Sequence, residues 1–388
     1  MAGRRYDARE MVERLVAFDT VSANSNLALI DFVVDYLADH GVAARLSHDE
    51  DGRKANLFAT LGPENTDGGV VLSGHTDVVP VADQDWSSDP FTVVERDGRL
   101  FGRGTADMKS FLAVALALVP EMCAAPLTTP IHLALSFDEE VGCLGVPRLL
   151  RQIAEAGLAP GLVIIGEPTE MRVINAHKGI SGFRTEVTGL EAHSSATHRG
   201  VSAIMAAARL VSFLEALGEE LAGRPGDPGF TPPHTTISVG TIEGGTALNI
   251  IPRHCRFLWE FRPLPGFDGS EIVARFAAFA RERVLPGMRA RYADAAIKTT
   301  TLAAVPPLAE RDDSPAVALA LALTGDNRAG VVSFATEAGL FQQAGIPAVI
   351  CGPGSIAQAH EPDEFIARNQ IAACEAFLRR LIARLCAG

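Results

Sequence analysis

Apolar residues recur at helical spacing over residues 9–40. Two short apolar runs follow at 55–61 and 70–72, a pattern that predicts a helical opening and then strands. The stretch 108–118 reads as a helix. Further apolar runs at 131–137 and 162–165 enclose a helical segment at 146–156, and a last run at 348–351 precedes a loop and a helix over 369–387. Continuous apolar runs of this length belong to strands buried on both faces, so we expect an α/β domain: a sheet flanked by helices.

The middle of the chain has another rhythm. A strand at 183–187, a long Ala/Leu helix at 203–217 and a Pro/Gly stretch at 224–233 lead to strands at 235–242 and 256–262. A helix at 269–284 and a last strand near 289–292 complete a βαββαβ order, the pattern of a small ferredoxin-like α+β sandwich. The expected division is therefore 1–179 and 295–388 for the main domain and 180–294 for an inserted one. A length of 388 residues suits more than one core.

Composition narrows the partners. The chain is 47% hydrophobic and 21% charged, ordinary for a globular protein, with a net charge of −13 and no Lys/Arg-rich run. Nucleic acid and anionic membrane both need a basic footprint, so a small-molecule substrate is expected instead. The longest clearly apolar stretch, 111–120, is about half of a membrane span. Residues 1–7 lead into the first helical pattern without an apolar signal core, which predicts a cytoplasmic protein. The six cysteines form no CxxC pair and are expected to be reduced and mostly buried, including Cys143 and Cys351 near the motifs below.

Four apolar runs, far apart in sequence, end in metal-ligand residue types. The run at 70–74 leads to His75 and Asp77, 131–137 to Asp138-Glu139-Glu140, 162–166 to Glu167, and 348–351 to a Gly/Pro loop holding His360. In an open α/β sheet these ends meet at one edge. Asp107 adds a carboxylate at the entry of the 108–118 helix, where the helix dipole favours it. So many acids beside apolar strands repel one another unless cations neutralise them. Two histidines and three carboxylates suit two divalent ions. One acid more than the shell needs, Glu139, is free to move a proton. Asp77, two residues from His75 on an extended segment, lies on the same side and can orient the imidazole.

The segments Gly74-His75-Thr76-Asp77-Val78-Val79-Pro80, Gly104-Thr105-Ala106-Asp107-Met108-Lys109, Asp138-Glu139-Glu140, Gly166-Glu167-Pro168-Thr169 and Ala359-His360 together resemble the dinuclear zinc aminoacylases and carboxypeptidases of peptidase family M20. The likeness spans nearly the whole chain. It implies a zinc-exopeptidase-like catalytic domain with an inserted lid that also dimerises, so a homodimer is expected. It further implies two zinc ions, with cobalt as an alternative: Asp107 bridges, His75 and Glu167 hold one ion, Glu140 and His360 the other, and Glu139 is the general base. Ser110 departs from the Gly that many relatives carry there.

From the inserted domain the resemblance assigns His193 to the oxyanion, reaching across from a partner subunit, and Asn249 and Arg262 to a substrate carboxylate. The implied reaction is deacylation of an N-acyl amino acid. Residues 84–91, 176–179, 336–338 and 352–364 direct the expectation to N2-acetyl-L-ornithine, and Glu337 is the acid expected to meet its ammonium. Three other readings compete with it: removal of a succinyl group from diaminopimelate, which needs a further cationic contact; a general N-acyl-amino-acid deacylase; and a catalytically inactive metal-binding protein. A dinucleotide site at Gly102-Arg103-Gly104 fails because the third glycine position is Asp107.

Overall fold

The computed structural model describes residues 4–63, 68–311 and 313–386; residues 1–3 and 387–388, which the expected N-terminal segment, last helix and outer domain limits include, lie outside them. The chain divides into two compact units. One comprises residues 1–176, 308–331 and 336–388, the other residues 177–307 and 332–335.

The first unit is built on an eight-stranded mixed sheet, in the order Ala44–His48, Ala55–Leu61, Ile131–Ser136, Val70–His75, Leu162–Pro168, Ala348–Gly352, Ile174–His177, Gly330–Val332. Four of the five strands predicted from continuous apolar runs, all but Ala55–Leu61, occupy its centre and run parallel to one another. They are buried along their whole lengths, which is why no alternation shows in their sequences. Helix Lys109–Ala117 is apolar on every side from Phe111 onward and is buried as far as Leu116. Its Phe111 ring presses on the sheet at Gly166, where a Cβ would stand 2.0 Å from a ring carbon. Gly352 on the next strand is constrained as tightly: a Cβ there would lie 2.0 Å from the Gly166 carbonyl oxygen.

The continuous helical pattern expected over 9–40 is two helices, Ala8–Val16 and Leu27–Asp39. The intervening segment is diverted by long-range partners. Val21 bridges Val78, the Thr20 hydroxyl donates to the Thr76 carbonyl at 2.6 Å, and Ser22 Oγ donates to Asp77 at 2.7 Å. All six cysteines are free thiols, and Cys123 is exposed. Among the described residues no helix is long and apolar enough to cross a membrane.

The second unit carries a four-stranded antiparallel sheet in the order Thr236–Gly244, His254–Arg262, Ile180–Thr188, Ala296–Val305. Numbered along the chain this is 2-3-1-4, and with helices Ala203–Ala222 and Ser270–Phe279 it gives the expected βαββαβ sandwich. Phe183, Trp259, Phe261 and Phe276 fill its core, with the Phe183 and Trp259 rings stacked at 4.4 Å. The strand expected at 289–292 is displaced. Arg289 ends a helix, Leu285–Arg289, anchored by buried Met288, residues 290–292 follow it outside any strand, and the last strand is the Thr-rich Ala296–Val305. That strand pairs with Ile180–Thr188, with Val305 opposite Ile180, so the return to the first unit falls after residue 307 rather than at 295.

At the start of the second unit, His177 is fully buried; its Nδ1–H donates to the Lys178 carbonyl at 2.7 Å and its Nε2 meets no hydrogen-bond partner among the described residues. Lys178 Nζ donates to the carbonyls of Pro232 and His234, at 2.7 Å each.

Candidate active site

The parallel strands deliver their C-terminal ends to one edge of the first unit's sheet. His75 ends its strand opposite Ser136, three residues before Glu139, and Glu167 lies near the end of the adjacent strand. Asp107 precedes helix Lys109–Ala117. His360 comes from the loop after Ala348–Gly352, at a positive φ of 66°.

Asp107 stands between the two imidazoles. Its Oδ1 is 3.1 Å from His75 Nε2, and its Oδ2 is 3.4 Å from His360 Nε2. Glu140 Oε2 is 3.1 Å from His360 Nε2, and Glu167 Oε1 is 3.9 Å from His75 Nε2. Ligand atoms of His75, Asp107 and Glu140 lie within 4.8 Å of one another, as do those of His75, Glu139 and Glu167. Nitrogen and oxygen ligands about 2.0–2.2 Å from a tetrahedral ion stand about 3.4 Å apart, so the spacing around Asp107 fits two ions sharing one carboxylate. The donor set fits as well: imidazole and carboxylate, with no cysteine among them.

Electrostatics points the same way. Burial and then the Asp107 charge push Glu140 up to about 7, the His360 hydrogen bond acting against them. Burial pushes Glu139 up to about 8 despite the His75 charge, with Glu140 and Asp107 adding to the rise. Glu167 is raised by burial and by Asp107. Burial works against Asp107 too, yet hydrogen bonds from His360 and His75 leave its pKa well below the usual range. Hydrogen bonds to Asp107 and Glu140 raise His360 to about 10. Burial opposes protonation of His75, but the Asp107 hydrogen bond and the Glu167 and Glu139 charges lift it well above an ordinary histidine. Four carboxylates facing two imidazoles hold surplus negative charge in a buried space, which divalent cations would balance.

The ring of His75 is oriented by Asp77 through a different atom than expected. Nδ1 donates to the Asp77 main-chain carbonyl at 2.9 Å, while the Asp77 carboxylate is 3.7 Å away. A carbonyl only accepts, so Nδ1 carries a proton in either charge state, and Nε2, which faces Asp107, is the nitrogen whose lone pair an ion would take in place of a proton. The Asp77 carboxylate instead receives the backbone N–H groups of Glu139 at 3.0 Å and Glu140 at 3.2 Å, fixing the turn that carries both acids.

The expectation that Glu337 meets a substrate ammonium is not supported. Its side chain is 0% exposed and its two oxygens accept hydroxyls from Ser73 and Ser136, so it ties together the strands that lead to His75 and Glu139. Sequence reading gave no site role to Cys143, expected only as a buried thiol, or to Glu364; the Cys143 thiol donates to Glu139 Oε1 at 3.4 Å, and Glu364 holds the Asp107 loop. The Asp363-Glu364 pair in the His360 loop was the only signal of the latter.

His193, Asn249 and Arg262 belong to the second unit. The short pairing of Ala192–His193 with Ile250–Ile251 sets His193 opposite Ile250, the neighbour of Asn249, and the Ser194 N–H donates to the Asn249 carbonyl. The Ser195 N–H donates to His193 Nδ1 at 3.2 Å, which leaves the ring proton on Nε2. Arg262 closes its strand and donates through Nε to Glu260 at 2.8 Å.

Residues 71–384 match peptidase family M20/M25/M40, and the chain belongs to this family. Among its relatives are acetylornithine deacetylases from Myxococcus xanthus, 36% identical over 98% of both chains, and from Proteus mirabilis, 34% identical over 97% of this chain and 96% of that one. Solved structures with the same fold include an M20 metallo-carboxypeptidase from Sulfolobus solfataricus, with a TM-score of 0.79 at 17% identity over 98% of this chain and 99% of that one. Human carnosine dipeptidase 1 gives a TM-score of 0.74 at 17% identity, covering 98% of this chain and 97% of that one.

Proposed function

We propose that the chain hydrolyses N2-acetyl-L-ornithine to L-ornithine and acetate, a step of arginine biosynthesis, as a cytoplasmic homodimer using two zinc ions or, in their place, cobalt. The observation that carries the chemistry is Asp107 between His75 and His360, with Glu139 as the further acid beside them. The names of the full-length relatives support the substrate.

His75 and Glu167 would hold one ion, Glu140 and His360 the other, and Asp107 both. So bound, the ions supply the Lewis acid that polarises the acyl carbonyl and lets water ionise near neutral pH. Glu139 takes the proton of the attacking water as its oxygen bonds to the acyl carbon. It then returns that proton to the amine nitrogen as the C–N bond breaks. A carboxylate pushed up by burial to about 8, as Glu139 is, can both take and return that proton. His193 Nε2–H is the donor proposed for the developing oxyanion, reaching it from the partner subunit, and Asn249 and Arg262 the grip on the substrate carboxylate.

The test is amine release by zinc- and cobalt-loaded protein from N2-acetyl-L-ornithine, N-succinyl-diaminopimelate and N-acetylmethionine. Preference for the first, abolished by a chelator, is expected. Glu139→Gln should lower kcat about 10²–10⁴-fold while zinc still binds. Preference for the succinyl substrate would overturn the substrate assignment, and an active Glu139→Gln the role of the base.

A further inference from the structure

Behind the ligands lies a second polar cluster, buried and built around one carboxylate. Glu364 and Arg103 each expose about 1% of their side chains. Glu364 Oε2 accepts from Arg103 Nη1 at 2.8 Å and from the Gly104 N–H at 3.0 Å; Oε1 accepts from the Ala106 N–H at 2.7 Å and from the Asp107 N–H at 3.0 Å. One carboxylate therefore uses four donors, three of them main-chain groups of the loop that ends in Asp107. Gly104 can turn there at a φ of +82° because it lacks a Cβ, which would press on Val78 at 2.8 Å.

The cluster reaches the other side of the site as well. Arg103 lies against the Trp86 ring, 4.9 Å from its centroid, and donates to the Glu361 carbonyl at 3.3 Å and to Gln84 Oε1. Gln84 Nε2 donates to the main-chain carbonyl of His360 at 2.9 Å. A continuous chain of hydrogen bonds thus runs from the backbone of Asp107 to the backbone of His360, whose side chains face each other at 3.4 Å.

We propose that Glu364, with Arg103 and Gln84, is a positioning device that fixes the separation of Asp107 and His360 and thereby sets the affinity for the ion they share. A carboxylate this enclosed has no freedom to follow a displaced loop, and all four of its partners are donors. Glu364→Gln cannot reproduce it, because the amide nitrogen would face the Gly104 N–H and Arg103, donor against donor. Outer partners of metal ligands are worth about 10–100-fold in metal affinity or activity.

The inference rests on Asp107 and His360 being ligands, and the test separates the two claims by reading zinc directly. Zinc dissociation constants are measured by equilibrium dialysis for wild type, Glu364→Gln, Gln84→Leu and His360→Ala, with the Tm of each in chelator. Glu364→Gln should weaken both ions at least tenfold, since Asp107 contacts both, and lower kcat at saturating zinc with KM within twofold. Gln84→Leu should weaken one ion about tenfold, leave the other unchanged and keep the wild-type Tm. Wild-type zinc affinity and kcat in Glu364→Gln, with only Tm lowered, would overturn the positioning role. Should Glu364→Gln fail to fold, unchanged zinc binding in Gln84→Leu would overturn it. Unchanged zinc binding in His360→Ala would overturn the ligand assignment and this inference with it.

Discussion

His177→Asn should make the second unit less sensitive to acid than the wild type. Burial pulls His177 from its ordinary 6.5 to about 4, with the Lys178 carbonyl only partly restoring it. Between those values the unfolded chain binds a proton that the folded one refuses, so stability rises with pH across the interval. This contribution is present above 6.5 and is lost as pH falls toward 4 and below. At 1.36 kcal/mol per pH unit, it amounts to about 3 kcal/mol by pH 4.

Asparagine places an amide N–H where Nδ1–H was and keeps the donor for the Lys178 carbonyl, but it does not titrate. The variant's lost volume lowers stability equally at every pH, so only the pH dependence counts. Urea unfolding followed by Trp259 fluorescence in a Trp86→Phe background, with chelator present and from pH 7.5 to 4.5, reports it. The wild type should lose about 2–3 kcal/mol more than the variant across that range. Parallel curves would refute the reasoning.

Two further predictions concern the first unit. Gly352→Ala sets a Cβ against the Gly166 carbonyl, backbone on backbone, and should cost about 3 kcal/mol or more, lowering Tm by roughly 10 °C; a Tm within 2 °C of wild type in a calorimeter would contradict it. Glu337→Gln keeps an acceptor for one hydroxyl and loses the other, so kcat/KM for N2-acetyl-L-ornithine and N-acetylmethionine should fall by the same factor. A loss confined to the ornithine substrate would return Glu337 to the substrate ammonium.

The centre of the sheet was legible because strands buried on both faces carry few polar positions and no alternation, and because His75, Glu167 and the 138–140 acids stand where those runs stop. Short or half-exposed strands were not. Ala44–His48 and the strands Val94–Arg96 and Arg99–Phe101 have too few apolar residues to mark themselves. The break near residue 20 was hidden because Ser22 and Thr20 leave the helix for partners more than fifty residues away. For the same reason the tasks of Glu337 and Glu364 could not be read. Each is an ordinary loop or helix-cap acid by its neighbours in sequence, and its donors come from strands and loops 201–264 residues distant. The strand near 290 was misjudged because alternating Arg residues imitate a strand, while the helix there is fixed by Met288 packing into the second core.

The pairing of Val305 with Ile180 has a consequence for how such a chain can be built. The first and last strands of the second unit lie side by side, so its two ends are held together by its own sheet. Closing a long loop costs conformational entropy that grows with the logarithm of its length. Here that entropy is offset within the inserted module itself, and the first unit is interrupted by a segment whose ends already meet. Residues 180–305 could then be exchanged for a tight turn, or for another module with adjacent ends, with little added closure cost to the strands on either side.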